Sequence, residues 1–367
     1  MNVGINLMFL VDEAGGAGRY AHELVPALLE TDPSIRLTVF LNRDAPATLS
    51  SAEWSKDVDW VRLPTRFSNR THLPGQAFLL PVVAARRRLD VVHSLANGGP
   101  PLTIGAKRIV TLLDLIWLHQ REAWGTPSAV RTMALLTRIS ARTAHRVITI
   151  SVSARDDIVG NFGLEPAKID VTPLGVRIPD SPMPRTSDGG APTILCVAQK
   201  RPYKNLSSLI HAVAAVDDGA PVLVLPGAPT DHEAELRALA DRLDVADRVR
   251  FPAWVSSSEL EALYAEATCF VLPSLIEGFG LPVLEAMARG VPVACSDRPS
   301  LPEVAGDAAL LFDPTDQAAV TDAVRRLIRD ASLREDLSVR GLERARRFSW
   351  RRTAELTLAS YRRAIGN

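Results

Sequence analysis

The sequence predicts an α/β protein made of two doubly wound, parallel-sheet domains in tandem. Three observations predict it. The chain has 367 residues, more than one ordinary core accommodates. Short apolar runs alternate with longer helical patterns almost throughout, the mark of βαβ units. The alternation breaks once, at residues 178–192 (IPDSPMPRTSDGGAP), where Pro, Ser, Asp and Gly remove any periodicity, and then restarts.

Taken in order, the first half offers strands at 3–10, 37–41, 58–63, 91–94, 108–113, 146–150 and 169–172. Helices are expected near 19–29, 79–88, 127–144 and 154–161. Beyond the break, strands at 193–198, 222–225, 249–251, 269–272, 291–295 and 309–311 are each followed by a helical pattern. The expected organisation is a first domain at 1–180, a linker at 181–192, a second domain at 193–348 and a closing helix at 349–367 that packs back on the first domain. That helix is amphipathic, with Leu356, Leu358, Tyr361 and Ile365 against Arg351, Arg352, Arg362 and Arg363. Open parallel sheets bind ligands beyond the carboxyl ends of their strands, so two of them predict a site in a cleft where the domains face each other.

Composition narrows the function. Apolar residues make up 47% and charged residues 23%, the balance of a folded globular chain. Lys and Arg total 42, as do Asp and Glu, so no global field draws the protein to nucleic acid. Cys196, Cys269 and Cys295 are far apart, each in a strand-like run, and read as buried small hydrophobes of a reducing cytoplasm. The first residues read as a strand without a basic leader, and no run of about 18 apolar residues occurs. The expected location is the cytosol.

The richest segment is 273–290, PSLIEGFGLPVLEAMARG. It puts Glu277 in a glycine-rich loop after a strand and Glu285 further on in the following helix. Gly278 and Gly280 allow backbone amides to approach a ligand, and Pro282 suits a first helical turn. Exposed amides at a helix N-terminus attract anions, while the carboxylates accept from hydroxyl groups. A plain strand-to-helix turn with two solvated glutamates is the bland alternative. Lys204, in YKNLSSLI after the first strand of the second domain, sits at a helix start where the dipole disfavours a cation, which favours an anionic partner.

These residues resemble the glutamate-rich signature of glycosyltransferase family 4, retaining enzymes of the two-domain GT-B fold, in which two Rossmann-like domains face across a cleft. Further matching segments are Gly15-Gly16-Ala17-Gly18-Arg19-Tyr20, ITISVSARDDI at 148–158, Thr172-Pro173-Leu174-Gly175-Val176, Lys204-Asn205 and Phe348-Ser349-Trp350. The resemblance implies transfer of a hexosyl unit, mannosyl among the candidates, from a GDP- or UDP-linked sugar to a glycan or lipid-linked acceptor, as in bacterial envelope polysaccharide synthesis. It implies that Glu277 contacts the transferred sugar and Glu285 the ribose. Gly278, Phe279, Gly280 and Leu281 would line the donor, and Gly15 and Gly16 would offer amides to its phosphates. Lys204 would neutralise the diphosphate, with Arg201 as a second phosphate contact and Lys200 as its competitor. No metal is expected, because Lys204 and the amides take the cation's role.

The family's His-Asp pair after the strand near Thr111 is altered here to Leu113-Asp114. Asp114 is the main acceptor-side candidate, with His93 at a strand end and His119 five residues on as others; either histidine could equally be core or surface. Gly16-Ala17-Gly18-Arg19-Tyr20-Ala21 also satisfies G-x-G-x-x-A, so a nicotinamide-dependent oxidoreductase is the competing enzyme class, and a non-catalytic sugar-nucleotide sensor a third. Against the oxidoreductase, no acidic residue closes the second strand. Asp57-Val58-Asp59 looks like a metal-holding DxD but reads better as exposed Asp alternating with buried Val. Arg131, Arg138, Arg142 and Arg146 recur at helical spacing beside Met133, Leu135, Leu136 and Ile139. That pattern fits a helix lying at the inner face of a membrane or an ordinary solvated helix.

Overall fold

The computed structural model describes residues 1–10, 16–46, 53–67, 72–179 and 190–366. Gly15 and most of the expected linker, 180–189, lie outside the described residues. The chain forms two units, Met1–Gly175 together with Trp350–Asn367, and Val176–Ser349.

In the first unit β1 (Asn2–Asn6), α1 (Gly16–Thr31), β2 (Arg36–Leu41) and β3 (Val58–Arg62) are followed by a short turn α2 (His72–Pro74) and by α3 (Leu80–Arg86). Then come β4 (Val91–Ser94), β5 (Lys107–Thr111), α4 (Ile116–His119), α5 (Pro127–Thr143), β6 (Arg146–Thr149), α6 (Val152–Phe162) and β7 (Ile169–Val171). The seven strands are parallel in the order β3-β2-β1-β4-β5-β6-β7. Ile5 of β1 pairs with Val39 on one side and with His93 on the other, so β1 is interior and residues 3–6 are buried. The run does not continue to residue 10: Asn6 Oδ1 accepts from the Met8 amide at 3.1 Å, and this local turn ends the strand. Ser151 starts α6 by accepting from the Ala154 amide, and Gly163 in the left-handed region ends it.

The second unit runs β8 (Thr193–Leu195), α7 (Leu206–Ala215), β9 (Val222–Val224), α8 (His232–Arg242), β10 (Val249–Arg250), α9 (Ser257–Glu266), β11 (Cys269–Leu272), α10 (Leu281–Ala288), β12 (Val293–Ser296), α11 (Leu301–Ala305), β13 (Ala309–Phe312), α12 (Gln317–Arg329) and α13 (Ala331–Ala345). Its sheet is parallel in the order β10-β9-β8-β11-β12-β13. The strand order reverses between β8 and β11, and a switch point of this kind is where such sheets take ligands.

The closing helix α14 (Trp350–Ile365) belongs to the first unit. It is held by polar contacts: Thr353 Oγ1 donates to Pro173 O at 2.7 Å, Ser360 Oγ to Asp170 at 2.7 Å, and Arg363 pairs with Asp170 at 2.9 Å. Asp170 also receives the Arg146 guanidinium. Burial works against the Asp170 carboxylate, but the Arg146 and Ser360 hydrogen bonds and the Arg146 and Arg363 charges outweigh it and depress its pKa.

Candidate active site

The second unit gathers the sequence-expected residues at the carboxyl ends of β8 and β11, flanking the switch point. Lys204 ends a short turn after β8, and Asn205, at φ 55°, starts α7 in the left-handed conformation that asparagine tolerates. Glu277 lies in the loop between β11 and α10. Lys204 Nζ and Glu277 Oε1 are 2.5 Å apart, with side chains only 14% and 9% exposed. Burial works against the Lys204 ammonium, yet the Glu277 carboxylate, Tyr203 and the hydrogen bond to Glu277 outweigh it and raise its pKa. The lysine is therefore a fixed positive charge at any physiological pH.

The Glu277 loop is pinned from several directions. Ser274 Oγ donates to Glu277 Oε1 at 2.7 Å, Ser300 Oγ to Glu277 O at 3.0 Å, and Ser296 Oγ to Ser274 O at 2.6 Å. Gly280 precedes α10 at φ 98°, and a Cβ there would sit 2.4 Å from Leu301 Cδ2, so only glycine fits. Phe279 is 4% exposed and packs edge-on against Phe348 at 6.0 Å, so its ring is core. Only its backbone can serve a ligand. Leu281 and Pro282 open α10, and Glu285 follows on its buried side, 3% exposed, accepting the Tyr264 hydroxyl at 3.1 Å.

Lys200 and Arg201 part company. Lys200 is fully buried; its Nζ donates to Gly227 O at 2.6 Å and Pro252 O at 3.2 Å and pairs with Glu233 at 3.2 Å. It therefore fastens the loops after β8, β9 and β10 together and is not the phosphate contact it was considered for. Arg201 is partly exposed, with Nε donating to the Gln199 side chain at 3.1 Å. No sequence signal could have exposed the Lys200 arrangement, since two of its three partners are backbone carbonyls distant in sequence.

On the first unit the acceptor-side candidates separate. Asp114 lies beyond the end of β5, partly exposed, and Oδ1 accepts from the Ile116 amide at 3.0 Å to start α4. His119, at the end of α4, places Nε2 2.8 Å from Asp157 of α6. His93 is a correction: it is 0% exposed, and its ring nitrogens lie 2.8 Å from the Tyr361 hydroxyl and 2.7 Å from Thr111 Oγ1. It joins β4, β5 and α14 in the core and is closed to an acceptor. Burial pushes its pKa down to about 3, so it is neutral.

Gly16 is the exposed first residue of α1 and Gly18 is buried within that helix, so the second glycine of the dinucleotide pattern is not in a turn. Val58 is buried and Asp59 is exposed and paired with Arg87, the alternation expected of a strand. Among the described residues no group of three or more His, Cys, Asp or Glu is placed to hold a metal ion. The three cysteines are free and buried, and burial pushes the Cys196 and Cys295 thiols up to about 12, which leaves them inert.

This architecture is that of the GT-B glycosyltransferases. Sucrose-phosphate synthase from Thermosynechococcus elongatus aligns with a TM-score of 0.81 at 21% identity, covering 100% of this chain and 99% of that one. Anabaena HepE in complex with UDP and glucose aligns at 0.75 and 18% identity, covering 98% of each. Two family models divide the chain between them: Glycosyltransferase Family 4 matches residues 14–178 and Glycosyl transferases group 1 matches residues 179–344. O-antigen chain mannosyltransferase B of Escherichia coli is 32% identical over 95% of this chain and 96% of its own length. The MMP alpha-(1->4)-mannosyltransferase of Mycolicibacterium hassiacum is 31% identical over 77% of this chain and 73% of its own. The chain belongs to glycosyltransferase family 4 and is a glycosyltransferase. The oxidoreductase reading is thereby overturned.

Proposed function

We propose that the enzyme moves a hexosyl unit, mannosyl in our reading, from a nucleoside diphosphate sugar to a glycan or lipid-linked acceptor in cell-envelope polysaccharide synthesis, with retention of anomeric configuration and without a metal ion. The observation that carries this reading is the Lys204–Glu277 pair at the ends of β8 and β11, beside the N-terminus of α10. An ammonium has three donors, so Lys204 can keep Glu277 and still serve a diphosphate oxygen. The amides of 278–280 and the α10 dipole add to the field that stabilises charge on the leaving group. Glu277 is held where a carboxylate can accept from sugar hydroxyls, and Glu285 is assigned to the ribose. Arg201 is the second phosphate contact. Asp114 serves the acceptor side.

In the retaining step the bond between the anomeric carbon and the departing phosphate oxygen breaks as the acceptor oxygen bonds to the same face. The acceptor proton passes to a phosphate oxygen, and the protein supplies charge stabilisation in place of a nucleophile. The mannosyl assignment is supported by the mannosyltransferase relatives, and the nucleotide donor by a structural neighbour that holds UDP and glucose. The test is incubation of the purified protein with a panel of UDP- and GDP-sugars and a glycan acceptor, reading nucleoside diphosphate release and the anomeric coupling of the product. Turnover of at least one donor with a retained anomer is expected. Absence of turnover for every donor, or an inverted product, refutes the proposal; binding without turnover would favour a sensor.

A further inference from the structure

The first sheet has a switch point of its own. Its strand order reverses between β1 and β4, whose last residues, Asn6 and Ser94, pair with each other. Open parallel sheets take ligands beyond the carboxyl ends of the strands at such a point. The side chains found there are polar, uncharged and fixed in orientation.

Asn6 is 2% exposed, and its Oδ1 already accepts from the Met8 amide, so Nδ2 is its donor. Nδ2 donates to Ser94 Oγ at 3.0 Å and to Gln76 Oε1 at 3.4 Å. Gln76 therefore presents its amide nitrogen to His72, with Nε2 lying 2.9 Å from His72 Nε2. An amide nitrogen only donates, so the imidazole accepts at Nε2 and carries its proton on Nδ1. Burial depresses the His72 pKa, which keeps the ring in the neutral form that this string requires. The Nδ1 donor at the end of the string is buried and meets no partner among the described residues. Thr65 Oγ1, after β3, and Asn97 Oδ1, in the loop after β4, are in the same condition. Buried polar atoms are almost always hydrogen-bonded, so three open ones around one switch point mark places for a partner.

The backbone around the string is held in place. Residues 75–79 form a π-helical turn, a rare geometry that gathers at functional sites. A Cβ on Gly75 would collide with Thr65 Cγ2, so this turn packs directly on Thr65. A Cβ on Gly99 would collide with Ser94 Oγ, which sets the loop of Asn97 against the end of β4. Asn97 takes φ 29° while its carbonyl accepts from Thr137 at 2.8 Å. Phe67, 44% exposed, stands edge-on to His72 with ring centres 4.8 Å apart.

We infer that this switch point binds an uncharged sugar ring of the acceptor, with His72 and Gln76 reading its hydroxyls. An imidazole N–H, the second N–H of Gln76, a hydroxyl and a carbonyl oxygen suit alcohols, which both give and accept hydrogen bonds. The exposed face of Phe67 suits the C–H side of a pyranose. A phosphate would ask for charged donors. Here Arg66, beside Phe67, is paired with Asp44 at 3.1 Å, and Arg62 donates to Asn42 O at 3.0 Å and Ala45 O at 3.1 Å. Assigning the ring to the acceptor rests on the proposed transfer function; the sugar binding itself does not. It narrows the acceptor to a glycan whose receiving residue is neutral.

The test is a titration of the full chain, without any nucleotide, with the methyl glycosides of mannose, glucose and galactose and with mannose 6-phosphate, read from the His72 imidazole nitrogen signals. At least one methyl glycoside is expected to shift His72 and to bind more tightly than the phosphosugar. His72→Phe removes the open donor and Gln76→Ala the group that orients it. Each should weaken binding, and raise the acceptor KM, roughly fivefold, the worth of one ordinary hydrogen bond, with the donor KM unchanged. Gln76→Glu accepts where the amide donated, so the His72 Nε2 signal should change from that of an unprotonated to that of a protonated nitrogen. A residue that only fills space would produce no such change. Thermal midpoints at the wild-type value separate loss of binding from loss of fold. His72 unmoved by every glycoside, tighter binding of the phosphosugar, or variants that bind as wild type does would each overturn the inference. Sugar binding without turnover of any donor would refute the proposed transfer and leave this site standing, whereas turnover with His72 unmoved would do the reverse.

Discussion

His93 offers a quantitative test, because the structure gives both its protonation state and its partners. With both ring nitrogens engaged in the core and a pKa of about 3, the folded protein holds it neutral, whereas the unfolded chain protonates it near 6.5. The depressed value sets the sign: the stabilisation is fully present above 6.5 and is lost as pH falls from there towards 3. Each pH unit in that window costs about 1.4 kcal/mol, so by pH 5 the first unit should have lost about 2 kcal/mol relative to pH 8. His93→Gln offers a donor and an acceptor at the same place and does not titrate, so this acid sensitivity should vanish while other groups titrate alike in both proteins. Hydrogen exchange of the β4 and β5 amides, corrected for intrinsic rate, reads the opening free energy of this unit alone. Parallel pH profiles in wild type and variant would refute the assignment of His93 to the core, as would a transfer rate that collapses while the unit stays folded.

Three further outcomes follow from the contacts. Gly280→Ala forces a Cβ into Leu301 at a positive φ, so a loss of about 2 kcal/mol in urea unfolding and a drop in turnover are expected; unchanged stability would contradict the fit. Lys200→Met removes a buried ammonium from Gly227 O, Pro252 O and Glu233, and urea unfolding should report a loss of about 3 kcal/mol in the second unit. A loss under 1 kcal/mol would remove its fastening role. Asp170, whose pKa is depressed, stabilises the attachment of α14 above its unfolded value near 3.9, and that contribution fades as pH falls through the lower folded value. Asp170→Asn should therefore raise amide exchange along α14 at neutral pH and differ least from wild type in strong acid; the opposite order would contradict the sign.

The fold was legible because its signal is local. A strand buried on both faces is an apolar run, and a helix between two strands shows its period, so every strand expected from the sequence is present. Their ends were less legible. The strand expected at 3–10 ends at Asn6, whose side chain accepts from the Met8 amide, and the strand expected at 193–198 ends at Leu195. The same distinction governs the site. Lys204 and Glu277 stand in segments whose glycines, proline and spacing announce a ligand loop. Lys200 has its partners 27 and 52 residues away, on carbonyl oxygens that leave no trace in side-chain identity. The Tyr361 partner of His93 is 268 residues distant, on a helix that returns to the first unit only in three dimensions.

The most direct test of the nucleotide-sugar account is a crystal structure of the enzyme soaked with UDP and, separately, GDP. The account predicts the diphosphate of at least one of them at the ends of β8 and β11, with an oxygen in hydrogen-bond reach of Lys204 Nζ and of an amide among residues 278–280. A diphosphate bound elsewhere, with Lys204 held by Glu277 alone, would contradict it.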